Sequence, residues 1–427
     1  MLRFILADLG RMKAGAVVVI LLVALAVALG TSVTLQERAL RLGSARAADK
    51  FDLVIGAPGS ETQLVLSTVF LQPAALPLLA GDVLADLQHD PRVAWAAPVG
   101  FGDFYRGHPV IGTTTQLVTE TTTGFAEGAI FAAEGEAVVG AMVGLAVGDR
   151  ITPTHGEIGH GHDDVQYRVT GRLHPTGTPW DRAILVPIQA VWHVHGMDTG
   201  HDHDEDHAHD HAGDGHEAGH ADEDHDHDED HGGFDAERPL DEHWHEGEIP
   251  GVPAILVKPA TIADAYKLRQ DYRGNEATQA VFPAEVLTSL YGTLGDARQV
   301  LAAIAGAAQA LVAMALLLLV MSHIGQRRRQ IGALRALGAP RGSIFALVWT
   351  ELFALIACGV LLGLVGGYLA AQMLSAEIAR RQGFALPVEF SGSDVAGLAV
   401  LLVISALLAM LPAWTAYRQS PVASLRG

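Results

Sequence analysis

The sequence predicts an α-helical membrane protein: four transmembrane helices, with a mixed α+β extracytoplasmic domain inserted between helices 1 and 2. Three observations carry that expectation. Four uncharged apolar stretches, Ala14–Val33, Val300–Ser322, Leu352–Ala371 and Val395–Trp414, run 20, 23, 20 and 20 residues. A helix needs ~20 such residues to cross ~30 Å of hydrocarbon. Basic residues crowd the loops of one side only. A polar segment, 34–299, separates the first stretch from the other three and is long enough for a core of its own. The resulting organisation is an N-terminal segment with helix 1 (1–37), an extracytoplasmic domain (38–298) and a C-terminal domain with helices 2–4 (299–427).

The first stretch follows Arg3, Arg11 and Lys13. Its apolar run exceeds the ~7–15 residues of a signal-peptide core, so an uncleaved anchor is expected. Arg327, Arg328, Arg329, Arg335 and Arg341 lie between helices 2 and 3, with no acid from His323 to Ser343, and Arg418 and Arg426 follow helix 4. The opposite loop, Gln372–Asp394, holds two basic and three acidic residues. The excess of positive charge marks the cytoplasmic side. Both termini are therefore expected in the cytoplasm and the large domain on the other side, which for a bacterial inner membrane in a Gram-negative cell is the periplasm.

Within that domain Thr34–Lys50 reads as a helical stalk continuing helix 1. Phe51–Gly56, Tyr167–Leu173, Ala183–Pro187 and Ala254–Val257 read as strands, the middle two separated by the turn-rich HPTGTPWDR. Ala137–Asp149 has helical spacing, and Thr261–Tyr272 reads as an amphipathic helix. From Thr288 the chain becomes helical again.

The formal net charge of the chain is −20, but Asp198–Glu248 alone holds 21 acids and one Arg, leaving 27 charges of each sign elsewhere. No basic footprint exists for nucleic acid, and a single cysteine, Cys358, excludes a disulfide framework. The overlapping stretch His193–His245 carries 14 of the 21 histidines: His193, His195, His201, His203, His207, His209, His211, His216, His220, His225, His227, His231, His243 and His245. Such a composition buries no core, so residues 196–248 are expected to form a disordered loop. A solubility loop needs acids but has no use for 14 histidines. Imidazole suits divalent transition metals. Alternate His-x-His spacing lets two rings reach one ion, and the carboxylates add charge and oxygen ligands. Zn2+, or another divalent metal, is the expected ligand, held at several interchangeable sites. Imidazoles near pKa ~6.5 would also gain charge on mild acidification and release metal. His155, His160 and His162 form a smaller cluster that joins this region if the fold brings them near.

His216-Glu-Ala-Gly-His220 matches the H-E-x-x-H pattern of zinc proteases. That chemistry needs a helix presenting both histidines on one face, whereas this match sits in Gly-flanked low-complexity sequence.

Arg327–Ile344 (RRRQIGALRALGAPRGSI) has helical spacing up to Gly338 and Pro340. The run Arg-x-Ile-Gly-x-Leu-Arg-Ala-Leu-Gly-Ala resembles the signature of the FtsX-like ABC transporter permeases, the group with MacB-type and lipoprotein-releasing members. So do the ending Pro412-Ala-Trp-x-Ala-Tyr-Arg418-x-Ser-Pro421-Val422-x-x-Leu425-Arg426 and the one-span, large-domain, three-span layout. Phe51–Gly56 with Gln63–Leu66, and the stretch 171–186, resemble the periplasmic domain of the MacB-like branch. The resemblance implies a non-enzymatic permease subunit that works with a separate ABC ATPase, as two permeases with two ATPases. The second permease is another copy (a homodimer) or a related chain. By position it gives the ATPase-coupling role, on a helix of about 327–342, to Arg328, Gln330, Ile331, Gly332, Leu334, Arg335, Gly338 and Ala339. Glu is common in the family where this chain has Gln330. ATP-driven closure in the family moves the first two spans and their outward stalk, so the periplasmic domain changes shape.

A separate ATPase is also expected from the residues. A P-loop places Lys directly after Gly, and none of the four lysines (Lys13, Lys50, Lys258, Lys267) follows one. ATP is thus expected only through a partner. The remaining partners expected are membrane lipid and a periplasmic metal-binding or lipoprotein component. Gly359-x-x-x-Gly363 with Gly366 and Gly367 marks a close helix–helix contact, within the chain or between copies. Glu351 and His323 lie at span edges, where snorkelling accounts for them.

The sequence is compatible with three functions. One is a permease in a zinc- or metal-linked transport or envelope process. Another is a permease that extracts or exports a lipoprotein, lipid or hydrophobic compound, with the His-rich loop as buffer or regulator. The third is a membrane-tethered metal sensor or metalloprotease.

Overall fold

The computed structural model describes residues 13–155, 165–197, 233–242, 244, 249–292, 303, 306–307, 310, 314 and 338–418. The chain divides into two units, one of residues 1–43, 291–380 and 385–427, the other of residues 44–290 and 381–384. In chain order the elements are α1 (Lys13–Ala48), β1 (Leu53–Gly56), α2 (Glu61–Thr68), α3 (Asp82–His89), β2 (Val93–Tyr105), β3 (His108–Thr113), α4 (Thr115–Thr121), β4 (Phe125–Gly128), β5 (Glu136–Val139), β6 (Arg150–Ile151), β7 (Thr154–His155), β8 (Tyr167–Leu173), β9 (Ile184–Pro187), α5 (Ile188–Val194), β10 (Ala254–Pro259), α6 (Ile262–Arg273), β11 (Gln279–Val281), α7 (Arg341–Gln382) and α8 (Gly392–Arg418). Residues 283–292 are also helical.

Among the described residues, α1, α7 and α8 are long and apolar enough to cross a membrane. The expected span Val300–Ser322 lies outside the described residues apart from Ala303, Gly306, Ala307, Ala310 and Met314, which are helical. At 1.5 Å per residue the 36 residues of α1 extend about 54 Å, well beyond ~30 Å of hydrocarbon. Leu21, Leu25, Leu29, Leu361, Leu369, Val400, Val403 and Leu407 are exposed on these helices, as side chains facing lipid would be.

The glycine stripe of α7 packs against α1 within the chain. A Cβ at Gly359 would lie 2.7 Å from Val23 Cβ, at Gly363 2.6 Å from the Ala24 carbonyl oxygen, and at Gly367 2.6 Å from that of Ala28. Gly366, off this line, meets only Ala28 Cβ at 3.9 Å. The period of four puts Gly359, Gly363 and Gly367 on one face, where backbones approach too closely for any side chain. Arg38 of α1 holds Asp394 at the start of α8 in a two-pronged ion pair, with Nη2 donating to Oδ1 over 2.9 Å. The same guanidinium donates to the Glu389 carbonyl over 3.0 Å. Ser375 Oγ donates to Gln36 Oε1 over 3.1 Å. Trp349 Nε1 donates to the Ala406 carbonyl over 3.0 Å, joining α7 to α8. Glu351 is buried rather than snorkelling. Helix α7 starts at Arg341, so Glu351 sits nearly three turns inside it rather than at its end.

The second unit is a mixed sheet with the order β11-β1-β10-β2-β3-β9-β5-β8-β4; β6 also pairs with β8, and β7 with β2. Most neighbours are antiparallel, while β3–β9 and β5–β8 run parallel. The apolar runs of β1, β9 and β10 are buried almost throughout. Leu53, Ile55, Leu84, Leu87, Val110, Ile184, Val186 and Val257 belong to one core. Ser60, Thr114 and Thr261 cap α2, α4 and α6, each accepting from the backbone N–H three residues on.

The strands at β1, β8, β9 and β10 and the helix α6 lie where the sequence places them. Two features differ. The β2–β3 hairpin turns on Arg106 and Gly107, at φ +50° and +80°, the conformation of a two-residue hairpin turn. Its glycine- and proline-interrupted strands give no clean alternation. The expected helix Ala137–Asp149 is instead β5 followed by turns. Gly140 N–H bonds the Ala183 carbonyl and Met142 N–H the Asp181 carbonyl. A Cβ at Gly140 would lie 2.4 Å from the Asp181 oxygen, and Gly148 takes φ +97°. Sheet pairing and this close backbone approach override the helical spacing.

Candidate metal centre

Asp103 lies in the second half of β2, just after a register shift between Phe101 and Asp103 in the β2–β3 pairing. Such a bulge re-aims the side chains beside it. Its cross-strand partner on the other edge is His155 of β7. His155 Nδ1 is 3.5 Å from Asp103 Oδ1. The third member, His195, caps the C-terminus of α5, and its Nε2 is also 3.5 Å from Asp103 Oδ1. The two imidazole rings stand 5.6 Å apart. One ligand atom from each of the three residues lies within 4.8 Å of the others. The carboxylate is buried, His195 partly so, and His155 is 65% exposed.

The tautomer of His195 is set by its helix. Nδ1 lies 2.8 Å from the Val191 carbonyl, which only accepts, so Nδ1 carries the proton. In the neutral ring the lone pair of Nε2 then points to the Asp103 side. Metal-binding histidines are commonly oriented by just such a bond from the far nitrogen.

A second polar group lies alongside. His193 Nδ1 hydrogen-bonds Glu134 Oε1, and Arg238 Nη1 is 3.6 Å from Glu134 Oε2. Both His193 and Glu134 are buried. The Tyr167 phenol is pushed well above its usual pKa, first by complete burial and then by the negative charges of Asp103 and Glu134. Arg238 belongs to a segment tied along 132–136, with Glu134 N–H bonding the Arg238 carbonyl and Gly135 N–H that of Ala236. Phe234 packs edge-on against Tyr167, and Trp244 against Trp192 of α5. Glu242 accepts from the backbone N–H and the hydroxyl of Thr115 over 2.7 and 2.6 Å. The His-rich stretch therefore enters from α5 and returns onto the same domain by an anchored segment.

Of the histidines singled out from the sequence, the structure brings His195 and His155 together and gives His193 a carboxylate partner instead. His201, His203, His207, His209, His211, His216, His220, His225, His227, His231, His243 and His245 lie outside the described residues, as do His160 and His162. Asp103 was missed in the sequence, where it is one carboxylate in a strand with no motif around it. Of the coupling residues only Gly338 and Ala339 are described; Gly338 takes φ +96°. Arg328, Gln330, Ile331, Gly332, Leu334 and Arg335 lie outside.

Residues 302–422 match the family described as FtsX-like permease C-terminal. That stretch of the chain is similar to the C-terminal domain of FtsX-like permeases. Helices α7 and α8 fall within it, and Pro412 of the terminal motif sits inside α8. The periplasmic region of MacB from Actinobacillus actinomycetemcomitans is similar at 9% identity and TM-score 0.32, covering 59% of this chain and 98% of that one. The extracellular domain of the ABC-type transporter YknZ from Gram-positive bacteria is similar at 10% and 0.28, covering 54% and 98%. No curated protein matches the chain.

Proposed function

We propose that this chain is the permease subunit of an ABC transporter. In this reading it couples ATP hydrolysis by a separate ATPase to movement of its extracytoplasmic domain, in a zinc- or other metal-linked transport or envelope process. The FtsX-like match over residues 302–422 carries the proposal. Lysines that never follow glycine support an ATPase on another chain. The Arg-rich segment, with Arg328, Gln330, Ile331, Gly332, Leu334, Arg335, Gly338 and Ala339, is the contact for that ATPase, and both termini share its cytoplasmic side. Two permeases pair with two ATPases, the second permease being another copy or a relative. Helix α1 is continuous over Lys13–Ala48, longer than the apolar span within it, and supports a stalk role for its outer part. The histidines support the metal link: 14 of 21 lie in one stretch.

The test is co-expression of the full chain with a candidate ABC ATPase from the same organism. The permease should co-purify with it and stimulate its ATP hydrolysis, and scrambling Leu334–Gly338 should abolish both. Full complementation by the scrambled chain would overturn the reading. The metal link is tested by growth under zinc starvation after deletion of residues 199–231, which spares the anchored segment 233–242: unchanged growth would overturn it.

A further inference from the structure

The geometry points to a discrete divalent transition-metal site, of the zinc class, formed by Asp103, His155 and His195 and separate from the bulk capacity of the His-rich stretch. It deepens the metal-linked part of the reading above and rests on no ATPase. Ligands held ~2.0–2.1 Å from a tetrahedral ion stand ~3.3–3.4 Å from one another. The two nitrogens each lie 3.5 Å from the same carboxylate oxygen. That spacing is long for a good hydrogen bond and close to the edge of a coordination tetrahedron.

The donor set is equally specific. Two imidazoles and one carboxylate suit Zn2+ and its neighbours, whereas Ca2+ and Mg2+ take oxygen ligands. The single cysteine, Cys358, lies in α7, so no thiolate steers the site to Cu(I). Three protein ligands leave a fourth position of a tetrahedral ion open. The exposed edge at His155 is where water or a further ligand would take it.

The ligands are also well supported. Asp103 is set by the bulge and the hairpin, His155 by its pairing with β2, and His195 by the bond from Nδ1 to Val191. In chain order the ligands stand at the points where two histidine-bearing stretches begin: His160 and His162 follow His155, and His201 onward follows His195. A site placed so exchanges metal with the histidines that follow its ligands in the sequence.

The test uses the full chain in detergent, with Zn2+ as the probe and diethyl pyrocarbonate labelling of each histidine read by peptide mass spectrometry. Bound zinc shields an imidazole nitrogen from the reagent, so every histidine reports on itself. His155 and His195 should become protected together, at a lower free zinc concentration than the histidines of 201–231. In Asp103→Asn the zinc needed to protect both should rise at least about tenfold, since loss of even a supporting partner typically costs 10–100-fold. If that variant does not fold, His195→Ala serves, with the same shift read at His155. Unchanged reactivity of His155 and His195 at saturating zinc, or protection unaltered in the variants, overturns the site while leaving the His-rich stretch as a metal carrier. A chain in which no histidine is protected overturns both the site and the metal-linked function.

Discussion

His155 faces Asp103 directly across the antiparallel β2–β7 pair, with Nδ1 3.5 Å from Oδ1. The pairing puts an exposed imidazole over a buried carboxylate, and His195 reaches the same oxygen from the end of α5. Around this centre the domain invests buried polar groups and aromatic contacts in anchoring the His-rich stretch. These anchors can be tested separately from the metal.

Glu134 is the most deeply buried member of the anchor. Weakening a buried hydrogen bond to a carboxylate typically costs about 1.5–3 kcal/mol. Glu134→Gln, deprived of charge beside His193 and Arg238, is expected to cost at most about 3 kcal/mol. That upper value corresponds to a fall in melting temperature of roughly 6–12 °C for a unit of this size. Tryptophan fluorescence melting of the full chain gives the shift. Limited proteolysis should show faster cleavage within 233–242, where Arg238 loses its carboxylate.

The contact between α1 and α7 predicts a sharp positional contrast. Gly363→Leu puts a side chain where the Ala24 carbonyl oxygen already lies 2.6 Å from the Cβ position. Overpacking of this kind costs about 1–3 kcal/mol. Gly366→Ala, one helical position off the contact line, is expected to be neutral or slightly stabilising, because alanine favours helix over glycine. Thermal stability in detergent, read by the monodisperse peak on size exclusion, should separate the two. Equal effects at both positions would contradict the packing.

Acid should weaken one specific link on the sheet domain. Asp90 accepts from the Arg92 side chain and backbone N–H, with Nη2–Oδ2 at 2.7 Å and N–Oδ1 at 2.8 Å. These bonds hold its carboxyl below the usual carboxylate range. A depressed folded-state pKa contributes stability that is complete above the unfolded value of ~3.9 and is lost as pH falls through the folded value. Arg92 is one-third exposed, so Asp90→Asn should cost no more than about 1 kcal/mol at neutral pH. The gap between variant and parent should narrow at acid pH, below the unfolded value of ~3.9. Urea unfolding at neutral and acid pH checks the sign.

The one-dimensional features of this protein were legible because they depend on neighbours in the chain. Span length, loop charge, the polar insert and the FtsX-like motif are local patterns, and so are strands such as Ala254–Pro259, whose whole apolar run is buried. Ala137–Asp149 was misread because its spacing obeys a helix, while Gly140 answers to the backbone of Asp181, a residue about 40 positions away. The glycine stripe of α7 announced a close contact, but only the fold showed that α1 fills it. The candidate metal centre divides in the same way. Composition marked histidine as the candidate ligand and set the net charge of −20 in one stretch. It gave no means of choosing among 14 similar rings, or of finding one aspartate in a hairpin strand. Asp103, His155 and His195 stand about 50 and 40 residues apart in sequence. Only the bulge in β2, the β7 pairing and the end of α5 bring their donor atoms within 4.8 Å, because coordination depends on distances in space that no local pattern encodes.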